Sequence, residues 1–179
     1  MSNKDFLSLL DFSKSELEKI LKFPIKLKKK PVKSLLKAKQ LLMFFEKNST
    51  RTRISFEVGM NQLGGSAVVL QKKETQLGNA SESIADTAKV MSRYGDAIMI
   101  RAYSHDDVKE LAANATIPVI NGLTDHNHPC QLMADLQTII ETKGKIDGLK
   151  IVWLGDGNNM CHSWIEAACR FDINLNILV

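Results

Sequence analysis

Residues 44–57 read FFEKNSTRTRISFE, and five polar positions in a row, Ser49, Thr50, Arg51, Thr52 and Arg53, follow directly on an apolar run. Hydroxyls and guanidinium groups at that density make a poor core and a good trap for an anion. Ser49 or Thr50 can cap a helix that begins near Arg51. The first N–H groups of such a helix lack intrahelical partners and lie at the positive end of its dipole. The hydroxyls add donors, and the planar fork of Arg51 matches a phosphate or phosphonate-like dianion. A plain cap rarely needs three hydroxyls and two arginines, so anion binding is the stronger reading.

HPCQ, at 128–131, is a second helix start with Pro129 in the first helical position. Its free N–H groups can face the same anion. Gln131 can donate or accept, and His128 can polarise a carbonyl or hold a ligand oxygen. Arg101 closes the apolar run AIMIR, where a cation is costly unless it meets an anion or an acid such as Asp96 or Glu46. GDGNN, at 155–159, lacks the last glycine of a dinucleotide turn because Met160 stands there. Asn158 and Asn159 still offer amides, and capping alone accounts for one of them. A helix N-terminus favours a thiolate at Cys130, but no base or orienting group accompanies it, so a small packed residue is the better reading. His105, His126, His128 and His162 show no metal-ligand spacing.

These residues need a frame, and the hydrophobic pattern supplies one. Strands are expected at 41–45, 67–70, 97–101, 117–120, 149–155 and 174–179. Helices are expected at 13–23, from about 51 to Gly64, and at 81–94, 106–114, 129–144 and 160–171. Such alternation predicts an α/β fold, a parallel sheet with helices on both faces. Ligands of open α/β sheets gather outside the carboxyl ends of the strands, and nearly every unusual polar cluster follows a strand. A boundary is expected near KIDGL, giving one domain at 1–146 and the opening of a second, incomplete α/β domain at 147–179.

Composition narrows the class. The chain has 179 residues, 44% hydrophobic and 25% charged, which is enough for a packed core. The formal charge of +4 is mild. Its lysine-rich stretch at 26–39 lacks interleaved aromatics and reads as a solvated connection between two helices, not a nucleic-acid surface. No apolar run approaches the roughly eighteen residues of a membrane span. The N-terminus lacks the order of a secretion signal, and three cysteines without a CxxC pair suit a reducing compartment, with cytoplasm the default.

FEKNSTRTRISFEVGMNQLGG, TQLG, DTAKVMSRYGDAIMIR, PVINGLTDHNHPCQLMADLQTI and GDGNNMCHS together resemble the aspartate/ornithine carbamoyltransferase family, from about residue 41 to the end. STRTR with HPCQ is characteristic of carbamoyl phosphate users. FEKNSTRTR, QLG and GDGNN resemble the ornithine branch. The resemblance implies a transcarbamylase-type, Rossmann-like fold. It implies that Ser49, Thr50, Arg51 and Thr52 bind the phosphate of carbamoyl phosphate, and that Arg101 bridges phosphate and carbamoyl oxygen. His128 and Gln131 would hold the carbamoyl group, with Pro129 and Cys130 lining the same site. Gln76 would reach a neighbouring subunit's site, which implies a homotrimer or a multiple of trimers. Asn159 would touch the α-carboxylate of L-ornithine, whose uncharged δ-amine attacks the carbamoyl carbon to give citrulline and phosphate. Arg51, Arg101 and His128 would carry the chemistry, with no metal or organic cofactor. The family's Ser-Met-Gly loop and His-Cys-Leu-Pro motif are expected beyond residue 179, so little or no transferase activity is expected of this chain alone. The alternatives are a transcarbamylase with another amine acceptor, such as aspartate, and a non-catalytic anion-binding fragment.

Overall fold

A computed structural model describes residues 4–75 and 82–179. It contains β1 (Gln40–Phe45), α2 (Thr50–Gln62), β2 (Ser66–Gln71), α3 (Ile84–Tyr94), β3 (Ala97–Arg101), α4 (His105–Asn114) and β4 (Val119–Leu123), preceded by α1 (Lys14–Lys29). Then follow α5 (Pro129–Lys143), β5 (Leu149–Leu154), α6 (Asn159–Ala168) and β6 (Ile173–Leu178). The chain packs as two compact units, one of Met1–Leu7 with Val32–Thr124 and one of Ser8–Pro31 with Asp125–Val179.

The first unit is a four-stranded parallel sheet in the order β2-β1-β3-β4. Period-two alternation sends one set of β1 and β3 side chains to each face. Leu42, Phe44, Ile98 and Ile100 pack with Ala88 and Met91 of α3 and Val108 and Leu111 of α4. Leu41, Met43, Phe45 and Met99 pack with Phe56 and Met60 of α2. Helices thus cover both faces, which is why β1 and β3 are apolar almost throughout. The strand order reverses between β1 and β3: β1 leads through α2 to β2 on one side, and β2 leads to β3 on the other. Ligands of open α/β sheets bind at such a switch point.

Register is regular except at one place. Ile100 pairs with Asn121 but Arg101 pairs with Leu123, so Gly122 is an extra residue opposite the end of β3. Bulges of this kind bend a strand and re-aim the side chain beside them. Glycine is required there: a Cβ on Gly122 would lie 2.4 Å from Met99 Sδ and 3.2 Å from the Ile100 carbonyl oxygen.

The N-terminal residues extend the sheet edge. Phe6 bridges Ile120, and Asp5 accepts the Val119 N–H at 2.8 Å. In the second unit, β5 and β6 form a two-stranded parallel sheet, and α1 and α5 pack together with an ion pair from Lys28 to Glu141. Ser13 caps α1 with a complete capping box through Glu16. The expected lysine-rich connection between two helices is corrected here. Helix α1 does not stop at residue 23 but runs through Pro24 to Lys29, so Lys26, Lys28 and Lys29 lie on its last turn, where cations suit the helix dipole. The fourth strand also lies later than expected, at 119–123, because Pro118 has no N–H to give to a ladder. Among the described residues no helix is long and apolar enough to cross a membrane.

Replacing Gly122 with Ala is expected to lower stability by about 1–3 kcal/mol through overpacking against Met99. The measurement is a urea melt, with the midpoint falling and the slope unchanged.

Candidate anion and amino-acid site

Ser49 is the cap of α2, not Thr50: its backbone is extended and its Oγ accepts the Thr52 N–H at 3.2 Å. Thr50 and Arg51 open the helix and are exposed, and Thr52 is half-buried. The sheet places Arg101 beside this helix start, since Phe45 at the end of β1 pairs with Arg101 at the end of β3. Arg101 lies on the α2 face of the sheet, and its Nη1 donates to Thr52 Oγ1 at 3.3 Å. One helix N-terminus and one strand end thus bring Ser49, Thr50, Arg51, Thr52 and Arg101 together at the switch point.

Neither acid suggested by the sequence pairs with Arg101. Asp96 accepts from Lys39 Nζ at 2.7 Å and from the Gln40 N–H at 2.8 Å. Glu46 accepts from Lys72 Nζ and from the Tyr103 N–H. Among the described residues the Arg101 Nε is buried without an acceptor. Burial, and then the like charge of Arg51, hold the Arg101 guanidinium below its usual value. A half-buried cation beside a second cation and a helix N-terminus favours a bound anion of multiple charge.

Glu46 is a residue whose role the sequence did not reveal. One carboxylate oxygen meets Lys72, which follows β2, and the other meets Tyr103, which follows β3. Its own N–H donates to the Arg101 carbonyl at 2.9 Å. It therefore fastens the ends of three strands next to the proposed anion site. Lys47 adds its ammonium over the Tyr103 ring, 4.3 Å from the centroid. Burial alone would raise the Glu46 carboxyl, but Lys72, the Tyr103 N–H and the charge of Lys47 outweigh it and leave the group lowered.

In the second unit His128 is the N-cap of α5 and Pro129 its first residue. Gln131 is exposed and its Nε2 donates to Asp135 Oδ1 at 2.9 Å. Burial pushes the Cys130 thiol up to about 12, which removes it as a nucleophile and fits a packed small residue. Asn158 caps α6, its Oδ1 accepting from Met160 and Cys161 N–H, and Asn159 is the first helical residue. One asparagine is thus the cap, and the other opens the helix and accepts the Ser163 hydroxyl at its carbonyl. Gln76 lies outside the described residues. Among the described residues no group of three or more His, Cys, Asp or Glu side chains is arranged to hold a metal ion.

Residues 4–141 match the family described as aspartate/ornithine carbamoyltransferase, carbamoyl-P binding domain, and the chain belongs to that family. It is 55% identical over 174 residues to the ornithine carbamoyltransferase of Anoxybacillus flavithermus, covering 95% of this chain and 55% of that protein. It is 51% identical over 181 residues to the anabolic ornithine carbamoyltransferase 1 of Pseudomonas savastanoi pv. phaseolicola, covering 99% of this chain and 59% of that protein. A solved structure of ornithine carbamoyltransferase from Pyrococcus furiosus superposes with a TM-score of 0.92 at 48% identity, over 98% of this chain and 57% of that one. The fold is the α/β, parallel-sheet transcarbamylase type. The chain spans 55–59% of the length of these relatives.

Two outcomes follow from the site geometry. Glu46→Gln is expected to cost about 1 kcal/mol at neutral pH by weakening a charge-assisted pair. The Glu46 carboxyl is lowered from 4.5 on folding, so its contribution is present above that value and lost as pH falls through the folded value. The gap between wild type and variant in urea melts should therefore close as the solution is acidified below about pH 4.5. Second, alkylation of the folded protein near pH 8 should label exposed Cys169 and spare Cys130, whose thiol stays protonated, and Cys161, which is buried. Labelling of all three at equal rates would contradict this arrangement.

Proposed function

We propose that the chain is the carbamoyl-phosphate-binding part of an ornithine carbamoyltransferase, with 1–146 as that domain and 147–179 as the start of the ornithine-binding domain. The observation that carries the reading is Arg101: half-buried, without an acid partner among the described residues, and bonded to a hydroxyl of the α2 start. Relatives at 51% and 55% identity bear the ornithine name, which favours that acceptor over aspartate.

In this reading Ser49, Thr50, Arg51 and Thr52 hold the phosphate, and Arg101 spans phosphate and carbamoyl oxygen. His128 and Gln131 hold the carbamoyl group, alongside Pro129 and Cys130, and Asn159 receives the amino-acid carboxylate. The uncharged δ-amine of ornithine adds to the carbamoyl carbon and the C–O bond to phosphate breaks. The amine proton is lost, and citrulline and phosphate leave. Charge growing on the carbonyl oxygen and on departing phosphate meets donors that are already in place. Holding the two substrates together removes much of the entropic barrier. Gln76 serves a neighbouring subunit in a cytoplasmic homotrimer or a multiple of it, and no cofactor is required.

Thermal unfolding with and without carbamoyl phosphate at fixed ionic strength tests the anion site. At about a hundred times the Kd, a ligand of the folded state adds about 2.7 kcal/mol. The midpoint should rise for wild type and not for Arg51→Ala or Arg101→Ala. A wild-type midpoint that does not move, in a cooperatively folding protein, would mean that these residues do not suffice and that the site needs a neighbouring subunit or the rest of the protein. Citrulline formation against carbamoylaspartate formation, assayed with the chain completed to the length of its relatives, decides the acceptor.

A further inference from the structure

The turn that presents His128 is fastened from another helix. Three consecutive residues, His126, Asn127 and His128, are each met by a residue of α6. His162 Nδ1 lies 2.9 Å from the His126 carbonyl oxygen. Asn127 Nδ2 donates to Glu166 Oε1 at 2.8 Å. The His128 N–H donates to Ser163 Oγ at 2.8 Å. Positions 162, 163 and 166 share one side of a helix by their spacing of three and four.

The clasp is dry. Asn127 and Ser163 are fully buried and Glu166 is 6% exposed. The second Glu166 oxygen accepts the Leu9 N–H at 3.0 Å, so both carboxylate oxygens are engaged. Ser163 sits at the centre. Its hydroxyl donates to the Asn159 carbonyl oxygen at 2.8 Å, a common habit of serine one turn into a helix. The same oxygen then accepts from a residue 35 positions earlier in sequence. One hydroxyl therefore joins the first residue of α6 to the cap of α5. A cap residue held by its own helix alone can swing with the preceding loop. Here the backbone nitrogen of His128 is fixed to the helix that carries Asn159.

We propose that Ser163, supported by Glu166, is a positioning residue that fixes His128 for recognition of the carbamoyl group. This rests on the role given above to His128, while Ser163 itself contacts neither substrate. Two ligands separate the effects. Inorganic phosphate reads the anion site of the first unit alone, and carbamoyl phosphate reads the anion site together with His128.

The test is calorimetric titration of wild type, Ser163→Ala and Glu166→Gln with each ligand, together with amide exchange at His128. Ser163→Ala should weaken carbamoyl phosphate by about tenfold, leave inorganic phosphate within about twofold, and speed exchange of the His128 amide. Glu166→Gln, which keeps the hydroxyl and loosens Asn127, should move carbamoyl phosphate in the same direction by less. If the variants exchange faster at His128 yet keep the wild-type preference for carbamoyl phosphate, the clasp is structural only and the proposal is overturned. Parallel loss of both ligands would overturn it as well, because the effect would then not pass through His128. A wild type with no preference for carbamoyl phosphate over phosphate would instead sink the role of His128, and this proposal with it.

Discussion

A guanidinium without a carboxylate is the constraint on which the carboxyl edge of the four-stranded sheet depends. Arg101 ends β3 half-buried, with a hydroxyl as its contact and Arg51 as a like-charged neighbour. Burying a cation in this way opposes folding unless the surroundings over-determine its place. They do so here. The bulge at Gly122 shifts the register at Arg101 itself, and the carbonyl of Arg101 accepts the N–H groups of Glu46 and Lys47. The acids that would neutralise it are engaged elsewhere, Asp96 by Lys39 and Gln40 and Glu46 by Lys72 and Tyr103. Those engagements hold strand ends together and keep both acids away from Arg101.

Much of this frame was legible in the sequence, for a physical reason. A parallel sheet covered on both faces demands continuous apolar runs, and LLMFF and AIMIR announce their strands without ambiguity. Helix starts were legible because caps use few residue types, and Ser13, Ser49 and Pro129 all stand where their chemistry belongs. The extent of α1 was not. Pro24 reads as a stop, yet the helix continues past it because the packing of its buried face, Leu17 and Leu21, against neighbouring elements outweighs a lost hydrogen bond. The extra residue at Gly122 was equally hidden, since register is a property of two strands and NGL reads as the segment that follows the strand expected at 117–120.

The anion site divides in the same way. Ser49, Thr50, Arg51 and Thr52 are contiguous, and their density is itself the signal. The residues that hold them are scattered. Glu46 reads as a partner for Arg101 and is instead the tie between β1, β2 and β3. Ser163 and Glu166 read as unremarkable positions in an apolar helix, HSWIEAA, and nothing local foretells hydrogen bonds to residues 35 and 39 positions away. Long-range polar contacts between buried groups become visible only when the fold has brought them together, and there they are strong because no water competes.

This division also sets where binding energy originates. The residues proposed to touch phosphate are exposed or half-buried, whereas Glu46, Ser163 and Glu166, which hold the frame, each make at least two hydrogen bonds, and the last two are buried. The desolvation of Arg101 is incurred on folding, before any ligand arrives, and its guanidinium is already bonded to the helix that bears Ser49 and Thr52. Under the proposed function, a dianion arriving at Arg101 meets a guanidinium already partly stripped of water, which lowers one of the usual penalties of binding a strongly hydrated ion. It relieves the repulsion between Arg51 and Arg101 in the same step. In the proposed site, the repulsion that Arg51 exerts on Arg101 favours a doubly charged ligand over a singly charged one.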